Sequence, residues 1–138
     1  MSKLETVQQL MKALEGYDTG CAGALGEIYA EEVLGMDKAP RGEKAIDGYI
    51  NGRSVSVKTF EFTPNFKSKS YRAIRHQHVG LCDDLLVVYP DENGNWKHVG
   101  PVPFDRIKHF EHSQNRRYLM REILAAAEEM QSDQLQTD

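Results

Sequence analysis

A chain of 138 residues is long enough for one domain around one core. With 40% hydrophobic and 28% charged residues it has the composition of a globular protein, and no apolar run approaches the ~20 residues of a membrane span. The net charge of −4 argues against a uniformly basic nucleic-acid binder, but the charge is unevenly placed. Between Gly48 and Cys82 six basic residues face one acid, Glu61, so that segment carries +5 and the remainder −9. The N-terminus has no signal-peptide pattern, so a cytoplasmic protein is expected. Cys21 and Cys82 form no C-x-x-C and are expected to be one buried thiol each.

Taken in order, Leu4, Val7, Leu10, Met11 and Leu14 recur at helical spacing, which predicts a helix over Lys3 to Leu14 ended by Gly16. Asp18 or Thr19 is placed to cap a second helix, Gly20 to Leu34. Its start is built from Gly20, Cys21, Ala22, Gly23, Ala24 and Gly26. Small residues weaken a helix, so a close backbone approach to a neighbour is expected there. Glu27 and Glu31 project from one side of it, a turn apart. A loop, Gly35 to Lys44, leads into a hairpin over Ala45 to Phe62. Thr63 to Ser70 is basic and irregular, and Tyr71 to Val79 is predicted to be a short helix. Asp83-Asp84 flank LLVVY, an apolar β-branched run that predicts a central buried strand. A turn at Asp91 to Gly94 and a strand over Trp96 to Val102 follow, then a loop or short helix from Pro103 to Phe110. Ser113 is placed to cap a last helix reaching Met130, with Leu119, Ile123, Ala126, Ala127 and Met130 inward. Residues 1–131 therefore read as a single domain and 132–138 as a disordered tail. The expected class is α/β (α+β), a sandwich of a mixed sheet of about four strands flanked by helices.

The hairpin carries the chemistry. Asn51-Gly52 between two β-prone runs predicts a two-residue type I′ turn, which sets Ile50 opposite Arg53, Tyr49 opposite Ser54, Gly48 opposite Val55 and Asp47 opposite Ser56. Alternation then puts Asp47, Ser56 and Lys58 on one face and Ile46, Ile50, Val55 and Val57 on a core face. An acid, a hydroxyl and an amine converge. Their plain alternative is a cross-strand ion pair on a solvated face, which contributes little.

A helix bearing Glu, followed by a hairpin with Asp on its first strand and Lys late in its second, resembles the PD-(D/E)xK nuclease superfamily, the restriction-endonuclease-like class. The resemblance covers about residues 20 to 100, including CDDLLVVYPDENG, which looks like the strand and turn following such active sites. It implies a metal-dependent DNA endonuclease using Mg²⁺, with Mn²⁺ as substitute. Asp47, Glu27 (or Glu31 in its place) and the main-chain carbonyl of Val57 would hold the metal, and Lys58 would be the catalytic lysine. Ser56 stands where the second acid of the pattern belongs, so the chain reads D-x(8)-S-x-K. Serine is a poor Mg²⁺ ligand, and its implied role is to hold a metal-bound water. Lys67, Lys69, Arg72, Arg75, His76 and His78 lie in or beside an acid-free stretch and are expected to face DNA. A homodimer is expected, since so short a chain has few elements for wrapping a duplex. The alternative is a catalytically inactive nuclease-fold module that binds DNA or protein.

Overall fold

A computed structural model describes residues 2–17, 20–40, 46–64, 73–76, 81–107, 109–112 and 115–137. Among these residues three α-helices are seen: α1 (Lys3–Ala13), α2 (Cys21–Leu34) and α3 (Met120–Thr137). A five-stranded mixed sheet contains β1 (Asp37–Lys38), β2 (Gly48–Ile50), β3 (Arg53–Thr59), β5 (Asp84–Pro90) and β6 (Trp96–Pro103) in the order β1-β2-β3-β5-β6. All its pairings are antiparallel except β3 with β5. A second, three-stranded antiparallel sheet has the order β4-β8-β7, with β4 at Ala73–His76, β7 at His109–His112 and β8 at Asn115–Leu119. The class is α+β.

The centre of the molecule is β5, whose Leu85, Leu86, Val87 and Val88 are fully buried. Leu85 and Val87 pack with Val99, Val102, Met120, Ile123 and Ala126 on the α3 side. Leu86 and Val88 pack with Val55, Met36 and Ala30 on the α2 side. A strand covered on both faces must be apolar at every position, which is why LLVV reads as a run rather than an alternation.

The turn behaves as its sequence requires. Asn51 and Gly52 both have positive φ, 52° and 78°, and the register is Ile50↔Arg53, Tyr49↔Ser54 and Gly48↔Val55. The small residues of α2 have their use at Gly26, where any Cβ would collide with the Thr59 side chain. This helix therefore lies on β3 with almost no gap.

Several expectations are corrected. Tyr71 to Val79 is not helical where it is described; Ala73–His76 is a strand, paired with β8 through Ala73↔Leu119 to His76↔Arg116. Pairing with a distant segment overrides the local pattern. For the same reason the last helix starts at Met120 rather than after Ser113, because His109–His112 and Asn115–Leu119 pair with each other as β7 and β8. It runs to Thr137, through the stretch that reads as a tail. The N-cap of α2 is Gly20, with no side-chain cap bond. Asp18, Thr19 and Ser113 lie outside the described residues. The stripe of α1 is real but uncovered: Leu4, Val7, Leu10 and Met11 are exposed and no residue of that helix is buried. Both cysteines are free, but only Cys82 is buried; Cys21 is exposed. No helix among the described residues is long and apolar enough to cross a membrane.

Candidate active site

The site forms where β2 stops short of β3. Only Gly48–Ile50 pair with Arg53–Val55, so the backbone of Val57 has no strand opposite it on that edge. Asp47 fills the place. Its N–H donates to the Val55 carbonyl at 2.9 Å, its carbonyl accepts from Ala39 N–H at 3.0 Å, and its Oδ2 accepts the Val57 N–H at 2.7 Å. The carboxylate thus stands in for a ladder carbonyl and lies in the plane of the sheet. Because N–H and C=O of one strand residue leave on the same edge, the Val57 carbonyl opens beside it.

Glu27 arrives from α2, the helix that Gly26 allows onto β3. It is only 8% exposed, and its side chain is hydrogen-bonded to Asp47. Two carboxyls this close hold their charges against mutual repulsion unless a proton or a cation lies between them. Burial pushes the Asp47 carboxyl above its usual range, while the Val57 N–H, the charge of Lys58 and the bond from Glu27 pull it down. Desolvation wins. Lys58 is half-buried and, paired in register with Val87, stands with Ser56 on the α3 side of β3, from where its charge still acts on Asp47. Thr59 Oγ1, which lies against Gly26, is buried without a hydrogen-bond partner.

Ser56 is placed differently from the expectation of a solvated polar face. It pairs in register with Leu85, on the α3 side, and is 3% exposed. Both faces of β3 are therefore covered, and alternation puts Ser56 on the side of the sheet away from α2 and Glu27. Glu31 is otherwise engaged: Tyr17 donates to its Oε2 at 2.6 Å, and burial together with this carboxylate pushes the Tyr17 hydroxyl up to about 12. Glu27 is the helix acid that reaches the hairpin.

The opposite end of β3 holds a second group of charges with a different character. Arg53 grips Asp84 in a bidentate pair, Nε to Oδ2 at 2.9 Å and Nη2 to Oδ1 at 2.8 Å. Ser54 N–H donates to Asp83 Oδ2 at 3.1 Å, and Asp83 N–H returns a bond to Ser54 Oγ at 2.8 Å. Asp83-Asp84 thus flank and fasten the strand. Arg53, one of the six basic residues counted above, is spent on this contact.

Of the expected DNA-facing residues, Arg75 and His76 lie on β4, while Lys67, Lys69, Arg72 and His78 lie outside the described residues. Thr59 was not singled out by the sequence, because a threonine late in a strand is ordinary. Among the described residues no group of three or more His, Cys, Asp or Glu converges on one point. The donors at hand are two carboxyls and the Val57 carbonyl. That set suits Mg²⁺, which keeps several waters and takes one or two protein carboxylates. The chain matches no protein-family model, and no curated protein matches it.

Proposed function

We propose that this chain is a metal-dependent phosphodiesterase acting on DNA, of the restriction-endonuclease-like class. One observation carries the reading: a buried glutamate from α2 is hydrogen-bonded to a desolvated aspartate at the mouth of the β2–β3 hairpin, within electrostatic reach of a lysine. Burying two carboxyls together costs stability, and such a cost is usual at sites that bind or react. A mixed sheet with the acid-bearing helix on one face supports the class.

Mg²⁺, or Mn²⁺ in its place, would neutralise charge developing on the phosphate and make water a better nucleophile. Glu27, Asp47 and the Val57 carbonyl would hold it. The Val57 N–H anchors the Asp47 carboxylate to the edge of β3, which holds its orientation. The Lys58 amine, within electrostatic reach of Asp47, would favour hydroxide over water and stabilise the phosphate oxygens. Gly26 sets how near Glu27 comes.

The partners in this reading are DNA and a second copy of the chain; the bare apolar stripe of α1 supports the homodimer, which sedimentation velocity tests. The second reading, a non-catalytic DNA-binding module, is favoured by Ser56, which is buried on the far side of the sheet where the pattern expects an acid. Incubating the protein with single-stranded and duplex DNA and Mg²⁺, with an EDTA control, separates the two. Metal-dependent cleavage supports the first, and binding without cleavage supports the second.

A further inference from the structure

The first helix is secured at both ends and covered nowhere. Ser2 caps it, its Oγ accepting the Glu5 N–H at 3.1 Å and its hydroxyl donating to Glu5 Oε1 at 3.0 Å. Past the other end Gly16 turns the chain at a φ of 88°, and a clasp follows. Tyr17 donates to Glu31 of α2 at 2.6 Å. Lys38 of β1 donates to the Gly16 carbonyl at 2.7 Å, with its ammonium 4.7 Å from the centre of the Tyr17 ring. The body thus grips the end of α1, yet Leu4, Val7, Leu10 and Met11 are 44% to 68% exposed and no residue of the helix is buried. An isolated helix of 11 residues is marginal in water, because helices owe most of their stability to a packed apolar face. This one calls for a cover.

The stripe points to its own partner. Leu4, Val7, Met11 and Leu14 are spaced by three, four and three residues, the seam of a two-helix coil, and Leu14, the C-cap, keeps helical backbone angles. That spacing reads the same from either end, about Gln9. Two copies of α1 laid antiparallel across a twofold axis therefore bring Leu4 level with Leu14 and Val7 level with Met11. The same register brings Lys3 of each copy level with Glu15 of the other, and no two like charges fall level. A parallel pair would set Lys3, Glu5, Lys12 and Glu15 each level with its own copy. We infer that α1 is a dimerisation arm that packs antiparallel on α1 of a second copy of this chain. The inference deepens the homodimer that accompanies the phosphodiesterase reading, on which it rests only for the presence of a second copy. A contact between two such short helices falls below the about 1,200 Å² of a standard interface, so association is expected to be weak and to grow with concentration.

Sedimentation velocity of the whole chain, from about 1 to about 300 µM, is expected to show monomer passing into dimer. Val7→Lys/Met11→Lys puts four like charges in the seam and is expected to weaken association about a hundredfold. Both positions are exposed, so the change opens no cavity in the core. Lys3→Glu is expected to weaken the dimer about threefold, and adding Glu15→Lys to restore it. Gln9→Lys, on the far side of the helix, is the control expected to change nothing. Direction is read by cross-linking in a Cys21→Ser background, since Cys21 is an exposed free thiol. Leu4→Cys and Leu14→Cys chains, oxidised separately, are expected to give no linked dimer; oxidised as a mixture, they are expected to give one. If the double lysine variant does not fold by circular dichroism, the cross-linking result decides. A monomer at every concentration, or a dimer indifferent to the seam variants, would overturn the arm. Linked dimers from either cysteine variant alone would overturn the antiparallel register. Dimerisation as expected, with metal binding or cleavage absent, counts against the phosphodiesterase reading alone.

Discussion

The two ends of β3 carry similar residues under opposite conditions. At its start Asp84, 5% exposed, is met by both arms of Arg53, and Asp83 is held below the usual carboxylate range chiefly by the Ser54 N–H. Every charge there has an answer. At its far end Asp47 is lifted above that range by burial, which outweighs one main-chain N–H, the charge of Lys58 and a bond from a second carboxyl. Acids that are paired fasten strands, whereas acids crowded together and desolvated await something positive. The first end holds β3 and β5 parallel. The second end is the candidate for chemistry.

The largest effects should fall on activity at the far end. Asp47→Asn keeps an acceptor for the Val57 N–H, and Lys58→Met keeps the aliphatic stem. Each is expected to cut cleavage by about a thousandfold, roughly 4 kcal/mol of barrier, while thermal unfolding stays near wild type. Cleavage that persists in both would move the site elsewhere. At the start of the strand the effect should appear in stability instead. Arg53→Met leaves Asp84 buried without its guanidinium and is expected to cost about 2 kcal/mol in urea unfolding, a figure discounted for the half-exposed arginine. Cleavage per folded molecule should not change.

Gly26→Ala tests how the two ends differ in tolerance. Its methyl group has nowhere to go against Thr59, so α2 must shift, at a cost of about 1–3 kcal/mol. Glu27 moves with the helix, and activity should fall with it. Pairing the change with Thr59→Ala should restore part of both. The smallest effect is in pH dependence. An Asp whose folded-state pKa is raised binds its proton more readily in the native state than in the unfolded one. It therefore contributes stability that is present below the ordinary aspartate pKa and lost as pH rises through the folded value. Asp47→Asn should abolish that decline above the ordinary value, which parallel denaturation curves at several pH values would detect.

Much of this corner was legible in the sequence. Asn51-Gly52 dictated the turn and so the register, the small residues of α2 foretold its close approach, and the LLVV run foretold a strand covered on both faces. What escaped were features set by distant partners. Nothing in Tyr71 to Val79 announces a strand, because β4 exists by pairing with β8. Alternation alone suggested that Ser56 faces solvent beside Asp47; covering that face required α3, whose position no local pattern gives. Nor did the turn reveal that β2 begins only at Gly48, leaving the Asp47 carboxylate to complete the ladder at Val57. The stripe on α1 shows the converse limit: periodicity predicted the helix correctly but not whether anything covers it.

The central claim is that Glu27 and Asp47 together hold a divalent cation. Isothermal titration of Mn²⁺ into the wild-type chain and into Glu27→Gln tests it most directly, since the amide removes the charge with little change in shape. The account predicts saturable heat in the wild type and its loss in the variant, with the variant still folded. Equal binding in both proteins, or no binding in the wild type even with DNA present, would contradict it.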